Sequence, residues 1–437
     1  MKWEELLRPI RLGKSTGANH QDRSQFQLDY DRIIFSAAFR RLQNKTQVFP
    51  LPGAIFVHNR LTHSIEVASV GRSLGNNAAL KLSQLFPDDA QLIQQSFSSI
   101  VSAACLAHDL GNPPFGHSGE DAIRHFFING AGRELCSSLT DEQRSDFCNF
   151  DGNANTFRLL SHNFKGRREG GFALTMPTLA SIVKYPRSSA GVKKFGYFQQ
   201  DRQTYMNIAE SLGIPLVDEA KQLYARHPLV FLVEAADDIC YQVMDAEDAC
   251  RLGILSFDET YELLMGFFDK EADKTVFRNF NGVRHIVTDT HEQVAYMRSI
   301  VIGRLVERTV GIFCDNIEAI LRGEFTGSLT SHLSGVEGAA MNTLAETAIR
   351  RIYRNQTVAQ VELSGFQIIG TLLDRFAAAL TQPENYYSKL IRTFIPSQYN
   401  VDDDASVYDR LLCAVDTVSG MTDLYALDLY KKVTGGI

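Results

Sequence analysis

The chain has 437 residues, 44% of them hydrophobic and 22% charged, a balance that excludes disorder as its main state. Its 44 Lys and Arg against 51 Asp and Glu give a formal charge of −7, which excludes a generally basic nucleic-acid coat. No apolar run approaches the roughly 20 residues of a membrane span, the Met1–Glu5 start lacks the apolar stretch of a signal peptide, and seven scattered cysteines without a CxxC pair read as reduced thiols of a cytoplasmic protein.

Charge is uneven along the chain. Residues 1–72 carry eleven Lys and Arg against six Asp and Glu, so that segment is +5 and the remainder −12. Basic side chains gathered in one segment suit a polyanionic ligand, although a solvated surface balanced elsewhere in the fold gives the same count. Helical periodicity follows. Apolar residues recur at spacings of three and four over 61–85 and 96–110, with Gly75 and Gly111 read as end signals. A further helix is expected over 227–250. The longest periodic stretch is 291–323, where Ile302, Val306, Val310, Phe313, Ile317 and Ile320 form a core stripe. Residues 338–381 and 404–433 are again helical in pattern. A short ribbon is expected near 275–288, and polar, Gly-containing stretches at 129–156, 163–172 and 322–337 read as long loops. The pattern predicts an all-α chain, one large helical unit over 1–437 with little or no β structure.

Three segments concentrate metal-type ligands: Arg60-Leu-Thr-His63-Ser-Ile-Glu66, then His108-Asp109 running through a Gly/Pro-rich loop to His117-Ser-Gly-Glu120, then Glu234-Ala-Ala-Asp237-Asp238 onward to Asp245. Asp109 follows an apolar helix and Asp237 follows Phe231-Leu-Val, positions where a carboxylate is costly to bury unless paired or bound to metal. Asp237, Tyr241 and Asp245 share one helix face, as do Arg60 and His63. Singly, each residue fits a cap or a structural hydrogen bond. Together, His63, His108, Asp109 and Asp237 form a two-imidazole, two-carboxylate set suited to a hydrolytic metal site with open positions.

His…His-Asp…Asp on consecutive helices resembles the HD-domain metallo-hydrolases. The segments Arg40–Pro50, Arg60–His63, His108–Glu120, Phe150–Asn155, Glu234–Asp238 and Ser419–Ala426 together resemble bacterial deoxyguanosine triphosphate triphosphohydrolases, and they run through nearly the whole chain. The resemblance implies hydrolysis of a dNTP, with dGTP favoured, to deoxynucleoside and inorganic triphosphate. It places an HD core over 60–242 and a C-terminal helical region, 338–437, that completes the base pocket. It implies a divalent metal on His63, His108, Asp109 and Asp237, Mn²⁺ or Mg²⁺ first, with Fe²⁺, Co²⁺, Ni²⁺ or Zn²⁺ as alternatives. Asp237 is chosen over Asp238 because it keeps Tyr241 and Asp245 on its own face, with Asp238 about 100° round the helix.

By the same resemblance His117 and Glu120 are the catalytic pair, with the acid or base role of His117 open. Arg60, Lys184 and Lys194 are expected on the phosphates, Tyr241 and Asp245 at the sugar, and Gln47 and Val48 near the base and 3′-hydroxyl. Asn112 stands among the substrate-binding residues, where some relatives carry a further His. Glu362 is expected to accept from the donor edge of a guanine. The 382–403 segment departs from the family in lacking a clear counterpart of its base-stacking arginine, which leaves acceptance of several dNTPs open. The rival readings are an HD phosphodiesterase or nucleotidase and a single-stranded-DNA-binding regulator with a vestigial site. Implied partners are a second copy in a tetramer or hexamer, single-stranded DNA, and a nucleotide effector; no membrane is expected.

Overall fold

The computed structural model describes residues 1–13, 23–49, 57–167 and 169–436. Pro50, which closes the Arg40–Pro50 segment, and Lys14 and Asp22 of the basic segment lie outside the described residues. Among those described, the fold is all-α apart from one antiparallel pair, Leu216–Asp218 with Leu223–Tyr224, which the sequence pattern does not announce. Among the described residues no helix is long and apolar enough to cross a membrane, and all seven cysteines are free.

The scaffold of the site is three helices. Arg60–Leu85 starts on an Asn59 cap, whose side chain accepts from Thr62 N at 2.9 Å. It packs along Ala90–Ala107, which is almost wholly buried over its last turns. Pro228–Arg251 crosses both, its first turn apolar on every face. Gly75 is interior to its helix rather than an end signal: a Cβ there would stand 2.9 Å from Ser98 Cα, so glycine sets the spacing of the first two helices. The second helix begins at Ala90, earlier than expected, and ends at Ala107 with His108 as its cap.

Other boundaries also differ. The 275–288 ribbon is a helix, Lys274–Ile286. Its apolar residues Val276, Phe277, Phe280 and Val283 step by one, three and three, which is one helix face, and Phe280 is fully buried on it. The 291–323 stretch breaks at Asn316 into Thr290–Asp315 and Ile317–Arg322, with its stripe in the core as expected. Residues 338–381 divide into Gly335–Thr347, a wide π-type turn at Ala348–Ile352, and Gln356–Thr381, which Asn355 caps. Residues 404–433 divide at Gly420 into Val407–Ser419 and Asp423–Thr434. The 129–156 stretch is not one loop: it holds Asp141–Cys148, started by Thr140, and the beginning of Gly152–Ser161.

Two main apolar clusters result. The larger surrounds the three scaffold helices; the second joins His117–Ile128 to Gln356–Thr381 and the C-terminal helices. Buried Arg158 links the two regions, donating to Asp416 from Nε (2.9 Å) and Nη2 (2.8 Å) and to Asp201 from Nη1 (3.1 Å). The forked guanidinium matches the carboxylate geometry and fixes orientation more than it adds stability.

Candidate metal centre and active site

Three helices bring three ligand atoms together. One atom each from His63, His108 and Asp237 lies within 4.8 Å of the others. His63 Nε2 is 3.1 Å and His108 Nε2 is 3.4 Å from Asp237 Oδ1. His108 Nδ1 is committed to the Cys105 carbonyl at 2.6 Å, which turns Nε2 inward, where it is buried without a hydrogen-bond partner. An orphaned imidazole nitrogen beside a second imidazole and a carboxylate fits a divalent cation, and the backbone hydrogen bond behind it is the usual way such a ring is oriented. His63, His108 and Asp237 are therefore the residues that would hold the metal that the resemblance to HD-domain hydrolases implies. Asp238 turns elsewhere and accepts from Thr330 Oγ1 at 2.5 Å.

Asp109 stands at the edge of this cluster. Its Oδ1 is 3.6 Å from His108 Nε2, but Arg60 Nη1 donates to Oδ2 at 2.6 Å and Asn112 Nδ2 to Oδ1 at 2.5 Å. Asn112 thus reaches the site through Asp109. The loop between His108 and His117 is shaped by Phe115 (φ 62°) and Gly116 (φ 58°). The positive φ of Gly116 requires glycine, and a Cβ there would also fall 2.6 Å from Arg60 Nη2 and displace the end of that side chain. Gly116→Ala is expected to cost roughly 1–3 kcal/mol of stability and to push Arg60 off Asp109. Urea unfolding of the variant checks this, and an unchanged midpoint and slope would refute the constraint.

His117 opens the helix His117–Ile128 and projects its ring into open space, its side chain 86% exposed. Glu120, one turn on, is buried; its Oε2 is 3.3 Å from His117 Nδ1 and its Oε1 accepts from Gly152 N at 2.7 Å. The Glu120 hydrogen bond holds the imidazole above its ordinary range. Burial pushes Glu120 up, but the hydrogen bond and charge of His117, the Gly152 amide and Lys194 outweigh it and leave the carboxyl below its usual range.

A cavity of about 560 Å³ covers this group. Its wall includes Gln47, Val48, Arg60, Asn112, Lys184, Lys194, Tyr241 and Glu362 together with His108, Asp109, Asp237, His117 and Glu120. Of the residues expected at the site, His63 and Asp245 are absent from that wall. His63 supports the metal cluster from behind. Asp245 lies behind Tyr353, whose hydroxyl donates to its Oδ2 at 2.6 Å. Burial pushes the Asp245 carboxyl up to about 8, against the Tyr353 hydrogen bond, which lowers it. The Tyr353 ring stacks on Tyr241 with centroids 5.9 Å apart and planes at 18°. Glu362 is exposed at the rim, and its backbone carbonyl accepts from Ser118 Oγ.

Several residues that build the site carry no separate signal in the sequence. Tyr353 is one, delivered by the turn that interrupts the 338–381 periodicity. Lys45 and Asp423 are others. Fully buried Lys45 donates to the Asn112 carbonyl (2.5 Å) and the Ser419 carbonyl (2.9 Å). Burial pushes its ammonium down to about 7, with Arg41 adding to the fall. Asp423 accepts from Thr46 N (2.8 Å) and Phe115 N (2.9 Å). Those contacts explain why the 40–50, 108–120 and 419–426 segments occur together: the third clamps the loops formed by the first two.

A family model described as HD domain matches residues 60–174, and one described as phosphohydrolase-associated domain matches 333–432. Asp237 lies between the two matched segments. A deoxyguanosinetriphosphate triphosphohydrolase-like protein of Pseudomonas aeruginosa is 38% identical over 448 residues, covering 100% of this chain and 99% of its own. One of the same description from Synechocystis is 36% identical over 454 residues, with 100% and 99% covered. A deoxyguanosinetriphosphate triphosphohydrolase of Yersinia pestis is 29% identical over 511 residues, with 98% and 97% covered.

Proposed function

The chain belongs to the HD-domain deoxyguanosinetriphosphate triphosphohydrolase family, and on that premise we propose that it hydrolyses deoxynucleoside triphosphates, dGTP foremost, to deoxynucleoside and inorganic triphosphate. The observation that carries the reading is the meeting, at one cavity, of His108 and Asp237, with His63 against them beneath the wall, the His117–Glu120 pair and three cations, Arg60, Lys184 and Lys194. His63, His108 and Asp237 would hold a divalent cation, Mn²⁺ or Mg²⁺ in this proposal, which when bound would supply Lewis acidity toward a phosphate oxygen and acidify a water.

The chain's own groups do the rest. Attack of water at the α-phosphorus breaks its bond to O5′, which then needs a proton. We assign that proton to His117, because Glu120 favours the imidazolium and the ring faces the cavity. Arg60, Lys184 and Lys194 balance phosphate charge. The stacked Tyr241–Tyr353 wall, stiffened by Asp245, suits a deoxyribose packed too closely to admit a 2′-hydroxyl. Gln47, Val48 and Glu362 take the base side. An assembly of copies, a nucleotide effector and single-stranded DNA belong to the same proposal.

Product analysis with each of the four dNTPs, over a Mn²⁺ and Mg²⁺ series, tests it. Intact triphosphate and deoxynucleoside are expected, with the highest kcat/KM for dGTP. Pyrophosphate or single phosphates as the first product would instead support an HD phosphodiesterase or phosphatase.

A further inference from the structure

We propose that Glu234 is a releasable holder of the cavity lysine Lys184, and that Arg226, outside the cavity, sets how readily that lysine moves to a phosphate. The inference rests on the reading of the cavity as a triphosphate site and names a positioning device within it.

Both cavity lysines already have anionic partners. Lys184 Nζ lies 2.8 Å from Glu234 Oε1, and Lys194 Nζ lies 3.1 Å from Asp151 Oδ2. The two carboxylates are not equivalent. Asp151 is fully buried, and its Oδ1 is spent on Asn153, accepting from N at 2.9 Å and Nδ2 at 2.8 Å. Among the described residues Lys194 is the cation paired with it. A departing Lys194 would strand a buried charge, so it must stay on Asp151 while it touches a ligand. Glu234 is nearly as buried, but it has a second cation: Arg226 Nη2 donates to its Oε2 at 2.5 Å. Arg226 is itself anchored, its guanidinium 4.1 Å over the Phe231 ring and Nη1 donating to the Gly327 carbonyl at 3.2 Å. It lines a neighbouring cavity of about 510 Å³, not the one that holds the metal cluster. Lys184 can therefore exchange Glu234 for a phosphate oxygen without orphaning a carboxylate. Glu234 also lies one turn before Asp237 on the same helix, so the released lysine starts beside the metal cluster. Lys184 is the mobile phosphate ligand and Lys194 the fixed one.

The test is the affinity of the full chain for inorganic tripolyphosphate, by calorimetry, with dNTP kinetics alongside. Arg226→Gln leaves Glu234 with Lys184 alone, so the pair tightens and tripolyphosphate should bind about tenfold more weakly. For dNTP hydrolysis the same variant should raise KM and leave kcat within about twofold. Arg226→Lys, which keeps the charge, should restore most of the affinity. Glu234→Gln should bind more tightly than wild type. In that background Arg226→Gln should change affinity by no more than about twofold, because the group through which it acts is gone. An equal loss with and without Glu234 overturns the proposal, as does weaker binding in Glu234→Gln or no tripolyphosphate binding by wild type. Should Glu234→Gln not fold, Lys184→Gln serves the same cycle: the Arg226 effect must vanish there too. Failure of wild type to hydrolyse any dNTP counts against the proposed function and is read separately from this series.

Discussion

His108→Ala and Asp237→Ala are each expected to lose bound metal and to lower dNTP turnover by about 10³ or more, because each removes one of three atoms that converge within 4.8 Å. The loss should appear first in metal content, measured by elemental analysis after dialysis, with the fold intact by circular dichroism. Asn112→Ala gives the contrast. Asn112 touches Asp109, whose Oδ1 stands 3.6 Å from His108 Nε2, and not the three-atom cluster, so its loss should weaken metal affinity by less than the roughly 10–100-fold that losing a ligand's own hydrogen-bond partner costs. A metal-free Asp237→Ala that hydrolyses dNTPs at the wild-type rate would remove the cluster from the reaction.

His117→Ala is expected to keep its metal and its dNTP affinity, yet to lose roughly 10²–10⁴ in single-turnover rate, the usual worth of a positioned acid or base. Glu120→Ala should lose a similar amount and the double variant little more, since the carboxylate acts through the imidazole at 3.3 Å. The pH profile separates the acid role from the base role. Glu120 raises the His117 pKa, so an acid works below that raised pKa and activity falls as pH climbs through it. Glu120→Gln withdraws the support, and the alkaline limb should move to lower pH. A limb that rises with pH, or that ignores Glu120→Gln, would make His117 something other than the proton donor. Additive losses in the double variant would separate the two residues.

Much of the site is legible in the sequence because its residues lie in short segments whose spacing is itself chemical. Arg60 and His63 share a helix face by their three-residue separation, and Asp237 with Tyr241 by four. His108-Asp109 after a buried apolar helix leaves a carboxylate that must find a partner, and Arg60 and Asn112 are that partner. The helical class follows from three- and four-residue periodicity, which depends on backbone geometry alone. Even the segment expected as a ribbon at 275–288 carries helical spacing in its apolar residues, and its lack of clean alternation is the mark of the helix it forms.

What only the tertiary structure decided depends on groups far apart in the chain. Asp423 lies more than 300 residues from Thr46 and Phe115, whose amides it holds; no local pattern marks a carboxylate for that task. Long periodic stretches break at Asn316, after Ile352 and at Gly420, where the apolar spacing gives no sign of an end. One of these breaks delivers Tyr353 onto Asp245 and moves that carboxylate from the cavity wall to a place behind it. The pairing of Lys184 with Glu234 and Arg226, against Lys194 with Asp151 alone, is likewise invisible in one dimension, since a lysine's partner is whichever carboxylate the fold leaves within reach. Local spacing determined which residue types could do the chemistry; burial and distance between remote segments decided which of their charges are held and which are free to move.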